Sequence, residues 1–280
     1  MWRRGWAAVA ALLLAACATT PTLKTPSPED WRTLNGARVI LLGERHDGPQ
    51  QENIQEQVVT HFIGSQQLQA LVLEMADHPQ HTRGLPPTAN EAQVRAALNW
   101  SEAAWPWARY RGPIMAAVRA RIPVLGGNLP HHEMAAAMTQ ASELERRHPE
   151  PWARLQSLVR DGHCGLLPEA QVPRMTRVQI AKDQRMAQTA LQALADADQT
   201  GTVVVIAGAV HANKRLGLPL HLPPDVGVRA IHLMATGGED AAPGEFDAVW
   251  LTPAAPNVDH CAQLRKQWSN HSRSGARPAN

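Results

Sequence analysis

Two four-residue stretches of the form Gly-x-x-His carry the clearest chemical signal in this chain. Gly43-Glu44-Arg45-His46 closes the apolar run Val39-Ile40-Leu41-Leu42, and Gly208-Ala209-Val210-His211 closes Val203-Val204-Val205-Ile206-Ala207. A buried, β-branched run that ends in Gly is how a parallel strand turns at its carboxyl end. In an open α/β sheet that edge is where ligands sit. A third run, Leu71-Val72-Leu73, ends in Glu74. Two imidazoles and the carboxylates of Glu44 and Glu74 are therefore expected at one rim. Two His with one or two carboxylates suit zinc, manganese or iron. Such an ion would acidify a bound water, with a free Glu as general base. The plain alternative is that each His caps a strand end through hydrogen bonds and binds nothing.

Tyr110, the single Tyr of the chain, is the second candidate. It stands in Trp105-Pro106-Trp107-Ala108-Arg109-Tyr110-Arg111, just ahead of an expected helix. A phenolate is a hard oxygen donor and a known type of axial haem ligand. Arg109 and Arg111 would favour its ionised form and pair with haem propionates. Trp100, Trp105 and Trp107 would give a porphyrin flat apolar contacts. The alternative is an ordinary core Tyr. Asn128, just past Ile122-Pro123-Val124-Leu125, suits either the rim or a turn. His131 reads as a pocket residue or as a solvated helix start. His163, in a Gly-punctuated loop, and Gln179, on an expected helix, complete the pocket candidates. The Met residues read as packing.

A β-α-β frame is needed to bring these groups together. Ile54, Val58, Val59, Phe62 and Ile63 recur near helical spacing between the first two strands, which predicts a parallel sheet with right-handed crossovers. From Asp77 to about Trp107 strand-like runs vanish and Pro and Trp take over. The expected fold is α/β: a central, mostly parallel sheet flanked by helices, with a small helical cap inserted after the second strand. Helices are expected over Arg111–Arg121, His131 to Arg147 and Gln171–Ala197, an irregular region up to Pro168, and late strands over Gly227–Leu233 and Ala248–Leu251.

With 280 residues, 44% of them hydrophobic, the chain can form one large domain with a real core. A net charge of +2 makes no case for nucleic acid. Arg3 and Arg4 precede a short apolar run, and Leu14-Ala15-Ala16-Cys17 fits a bacterial lipobox. The run is too short to span a bilayer. Cys17 is thus expected to be acylated and to anchor the chain to lipid. Ala18 after it points to the outer membrane, facing the periplasm; an ordinary secretory signal is the alternative. Cys164 and Cys261 then remain, and an oxidising compartment favours a disulfide over free thiols or a zinc site. The expected organisation is a signal over residues 1–16, a flexible tether over 17–36, the domain over 37–265 with its cap at 77–110, and a disordered tail over 266–280.

Further stretches complete an ordered set: Leu73-Glu74-Met75, Tyr110 with Pro113, Ile122-Pro123-Val124 leading to Asn128-Leu129-Pro130, Asp161-Gly162-His163-Cys164-Gly165, and Gly217-Leu218-Pro219. With the two Gly-x-x-His devices, this set resembles the ChaN-like family of haem-binding uptake lipoproteins, part of a superfamily with Tiki, TraB and erythromycin-esterase-like proteins. The resemblance implies haem held between cap and sheet, a Tyr as iron ligand, a homodimer enclosing stacked haems, and work beside an outer-membrane haem receptor. Tyr110 would be that ligand, with Arg109, Arg111, Trp107 and His131 around the haem. The Tiki branch implies instead a divalent-metal-dependent hydrolase, a protease or esterase, in which His46, His211 and Glu74 hold one ion (zinc, manganese or cobalt) and Glu44 activates water. Two places depart from the family pattern. Ala212-Asn213-Lys214-Arg215 stands where an Arg and an Asp are expected after the second His, and His131 where an Arg is expected after Pro130.

Overall fold

The computed structural model describes residues 26–196, 201–238, 240–255 and 258–273. The expected signal, Cys17 and the first part of the expected tether (17–25) therefore lie outside the described residues. Six strands form one sheet in the order β3-β2-β4-β1-β5-β6: β1 Val39–Glu44, β2 Leu68–Asp77, β3 Val124–Asn128, β4 Thr202–Gly208, β5 Val228–Ala235 and β6 Ala248–Thr252. Every neighbouring pair is parallel. No helix among the described residues is long and apolar enough to cross a membrane.

The period-2 alternation of side chains along a strand divides the core into two layers. Ile40 and Leu42 of β1, Leu71 and Leu73 of β2, and Val204 and Ile206 of β4 face one side. There they meet Ile54, Val58 and Phe62 of helix α2 (Gln51–Gly64) and Ile114 and Val118 of α4 (Trp107–Arg119). Val39, Leu41, Val72, Val203 and Val205 face the other side, against Met186, Ala187 and Ala190 of α8 (Val172–Ala195). Strands covered on both faces read as continuous apolar runs, and β1 is buried at all six positions.

The connections explain where a ligand can sit. From β1 the chain crosses through α2 to β2 on one side of the sheet, and from β4 it crosses to β5 on the other. β1 and β4 are neighbours, paired from Val39↔Val203 to Glu44↔Gly208. Crossovers that leave adjacent strands in opposite directions open a crevice at the strands' carboxyl ends. Helix α9 (Ala209–Ala212) starts in this crevice. Gly43 lets it approach: a Cβ there would lie 2.8 Å from Ala212 Cβ and 3.0 Å from Ala209 Cα.

Helices α3 (Glu91–Ala97) and α4 lie between β2 and β3, where the inserted cap is expected. Several boundaries differ from the sequence reading. α4 starts at Trp107, so Tyr110 lies on the helix and not ahead of it. The expected helix from His131 to Arg147 is two pieces, α5 His131–Ala137 and α6 Glu143–Arg147, the second capped by the Ser142 hydroxyl. The region expected to be irregular contains α7, Pro149–Gly162. Pro149 occupies the first helical turn, where no intrahelical N–H is needed, so it opens the helix without breaking it. Part of the expected tether is helix α1, Pro28–Thr33, held by a capping box between Ser27 and Asp30. The expected disordered tail is helical to residue 273, within α10 His260–Arg273.

Candidate functional site

The carboxyl ends of β1, β2 and β4 bring Glu44, His46, Glu74 and His211 together as two hydrogen-bonded groups. In the first, Glu44 is the centre. Its Oε1 accepts from the Tyr110 hydroxyl at 2.5 Å and lies 2.7 Å from His46 Nδ1, while Gln55 Nε2 donates to Oε2. Glu44 and Gln55 are buried. In the second group, Glu74 Oε2 accepts from the Gly208 backbone N–H at 2.8 Å. Glu74 Oε1 lies 3.4 Å from His211 Nε2, and His211 Nδ1 lies 2.7 Å from Asp183 Oδ1 of α8. His46 Nε2 and Glu74 Oε2, 3.8 Å apart, join the two groups. Gly208 sits at that junction, where a Cβ would come within 3.1 Å of His46 Nε2.

The charge states follow from these partners. Burial alone would pull the His211 pKa down, but the negative charges of Glu74 and Asp183 outweigh it and raise it to about 10. His211 is thus an imidazolium with both nitrogens donating to carboxylates. Burial alone would raise Glu74, yet the charge and hydrogen bond of His211 hold it well below the usual carboxylate range. Burial pushes Asp183 up. For His46, burial is outweighed by the hydrogen bond to Glu44 and the charge of Glu74, so its pKa is raised. Burial and then the charge and hydrogen bond of Glu44 push the Tyr110 phenol above its ordinary value.

The divalent-ion expectation does not fit this arrangement. Among the described residues no three His, Cys, Asp or Glu side chains form a group that could hold a metal ion.

Beside the rim lies a cleft of about 580 Å³. Glu44, Arg45, His46, Glu74, Lys182 and His211 line one side, and Leu155, Leu158, Val159 and His163 of α7 and its end line another. Val210, Gln179 and His232 also border it. His46 is 39% exposed there, whereas Tyr110 is only 1% exposed. Tyr110 lies behind Glu44 and under Trp105 and Trp100, whose rings stand 6.3 and 5.7 Å from it. Trp105 also meets the His46 ring edge-on at 4.8 Å.

The other expected residues divide accordingly. Arg109 donates to the Gly48 carbonyl at 2.5 Å, Arg111 pairs with Glu91, and the Trp107 indole N–H donates to Glu91. These three stabilise the cap and do not line the cleft. The charge of Arg109 favours the ionised form of Tyr110, as expected, but burial and Glu44 outweigh it. Asn128 accepts from the Leu129 N–H, the turn role. His131 is exposed at the start of α5. Asn213 accepts from the Arg215 N–H and so shapes the turn after α9. Cys164 and Cys261 form a disulfide. Site reasoning from sequence did not single out Lys182, Gln55 or the α7 wall. The spacing of Trp152, Leu155, Leu158 and Val159 was a helical signal that could have revealed that wall.

Comparison with solved structures places the fold among known proteins. A structure of ChaN of Campylobacter jejuni, described as showing cofacial heme binding, superposes with a TM-score of 0.64 at 24% identity, covering 80% of this chain and 91% of that one. The type III effector HopBA1 gives 0.48 at 15% identity, over 78% of this chain and 88% of that one. An erythromycin esterase mutant in its open conformation gives 0.45 at 14%, over 85% and 83%. No curated protein matches the chain. The family model for haem-binding uptake proteins of the Tiki superfamily, ChaN, matches residues 31–222, and the chain belongs to that family.

Proposed function

We propose that this protein binds haem in the cleft between the rim and α7, at a membrane surface, as a component of haem and iron uptake. The observation that carries this reading is the two-sided cleft. Leu155, Leu158, Val159 and Val210 offer an apolar wall, and His46 and Lys182 a polar one. A porphyrin has the same division, an apolar macrocycle and two anionic propionates. About 580 Å³ lies within the ordinary range for cofactor sites. His46 offers the iron an imidazole whose Nδ1 is held by Glu44, as outer partners hold metal-ligating imidazoles. Lys182 and Arg45 supply positive charge for propionates. Bound haem would contribute a ferric centre that accepts such a donor. In this reading Tyr110 acts through Glu44, and Trp107, Arg109 and Arg111 act by holding the cap.

The proposed partners follow from the same reading. An acylated Cys17 would hold the chain to the periplasm-facing side of the outer membrane, near a haem receptor. A second copy, its cleft turned to the first, would cover an exposed porphyrin face; cofacial heme is described for the Campylobacter ChaN. Ferric hemin titrated into the full chain should give a saturable, shifted Soret band. Tyr110→Phe should keep the band position, because the phenol is behind Glu44. A spectrum that changes in Tyr110→Phe would assign the iron to the phenol, and a wild type with no shift would end the haem reading.

The Tyr110–Glu44–His46 chain of hydrogen bonds favours a second reading, a metal-independent protease or esterase. A carboxylate that orients an imidazole beside a cleft is the arrangement of a general base. His46 would take a proton from water at Nε2, and Glu44 would stabilise the imidazolium. Turnover of an activated ester should then survive EDTA, disappear in His46→Ala, and rise with pH as His46 loses its proton. The absence of any His46-dependent turnover would remove this reading.

A further inference from the structure

Six residues, adjacent in sequence as three pairs, link the two sides of the cleft. His163 lines the cleft at the end of α7 and is followed by Cys164. Cys164 is bonded to Cys261, with their Cα atoms 5.5 Å apart. Cys261 follows His260, whose Nε2 lies 2.7 Å from Asp47 Oδ2. Asp47 follows His46, the exposed imidazole of the rim. Arg45 tightens the last link: its Nε pairs with Asp47 at 2.6 Å and its Nη2 lies 3.4 Å from His260. The start of α10 is thus fastened to the α7 wall by a covalent bond and to the β1 rim by the hydrogen bond between His260 and Asp47.

The local backbone around Cys164 is equally determined. Cys164 and Gly165 both have positive φ, 55° and 67°, so the chain reverses sharply after α7. Gly165 N–H donates to the Arg160 carbonyl at 3.0 Å and Leu166 N–H to the His163 carbonyl at 3.0 Å. His163 Nδ1 lies 2.7 Å from the Val159 carbonyl, which requires a proton on Nδ1. The wall residue's ring is therefore fixed from within α7, and α7 itself is fixed from outside by α10.

We infer that Cys261 and His260 of α10 are positioning residues for the cleft: through Cys164 and Asp47 they set the separation between the α7 wall and His46, and so couple ligand retention to the redox state of the disulfide. A thiol reductant would break the Cys164–Cys261 bond, the two protein sulfurs taking up protons as thiols while two reductant thiols are oxidised to a disulfide. α10 then stays tied to the rim through Asp47, and its link to the α7 wall is lost. Pre-organised walls hold a ligand at less entropic cost than walls that must be ordered on binding.

The inference rests on the haem reading, and its test separates the two. Oxidised full-length protein in detergent is loaded with ferric hemin, and release is followed by transfer to excess apomyoglobin. The Cys164→Ser/Cys261→Ser variant, and wild type treated with thiol and cleared of it before loading, should release hemin roughly tenfold faster with unchanged far-UV circular dichroism. His260→Ala, which leaves the disulfide intact, should accelerate release in the same direction by less; it decides the matter if the double variant does not fold. A bridge that serves stability alone would lower the thermal midpoint and leave the release rate as in wild type. That outcome overturns the inference while keeping the haem reading. Oxidised wild type that takes up no hemin overturns both.

Discussion

Replacing His211 by Ala should lower the stability of this protein to denaturant by about 3–5 kcal/mol, the usual cost of removing one partner from a buried ion pair. Glu74 and Asp183 are both buried, and His211 is the cation between them. Without it the two carboxylates face each other, and Glu74 keeps only the Gly208 N–H and the weaker charges of His46 and Lys182. The pH dependence should identify the mechanism. The His211 pKa is raised from 6.5 to about 10, so its contribution is fully present below about pH 6.5 and is lost as pH rises through 10. Glu74 is depressed, so its contribution is present above the ordinary carboxylate pKa and is lost as pH falls below it. The gap between wild-type and variant urea midpoints should therefore be widest near pH 6 and narrow towards pH 10. The variant should also gain stability in mild acid, as its unpaired carboxylates take up protons. A pH-independent gap would mean that packing, not charge, is what His211 supplies.

Glu44→Gln should weaken hemin binding by about 10- to 100-fold, the range for losing the outer partner of a ligating imidazole. The substitution keeps volume but not hydrogen-bond logic. Tyr110 O–H, His46 Nδ1–H and Gln55 Nε2–H all donate to Glu44. An amide presents N–H₂ in place of one oxygen, which Gln55 meets only by turning its own amide, and the negative charge shared by the three donors is gone. His46 also loses the hydrogen bond that does most to raise its pKa, and its ring is free to turn from the cleft. Hemin titration gives the affinity, and the His46 ring resonances followed against pH should titrate lower than in wild type. Unchanged affinity together with a lowered His46 pKa would show that orientation of the ring is not what the ligand uses.

Much of the frame was legible because it is written in local periodicity. The apolar runs ahead of Gly43 and Gly208 specified central strands, and the helical spacing between β1 and β2 specified a crossover, hence a parallel sheet with its ligands at the carboxyl ends. The same logic placed His46, Glu74 and His211 on one rim. Boundaries went astray where Pro or Trp masked a helical pattern: Pro149 opens α7 without breaking it, and Trp107 opens α4, which turns Tyr110 inward.

By itself, then, the sequence determined the sheet, the rim and the membership of its Gly-x-x-His devices in one edge, since strand period and turn chemistry depend only on neighbouring residues. Tertiary structure alone decided what those groups do to one another. Asp183 reaches His211 across 28 positions, Tyr110 reaches Glu44 across 66, and Cys261 returns to Cys164 across 97. Such partnerships are settled by which helix packs on which face, and they convert a set of metal-ligand types into a buried proton-sharing network beside an open cleft. Periodicity tells a side chain's face; only packing tells which group across that face holds its proton.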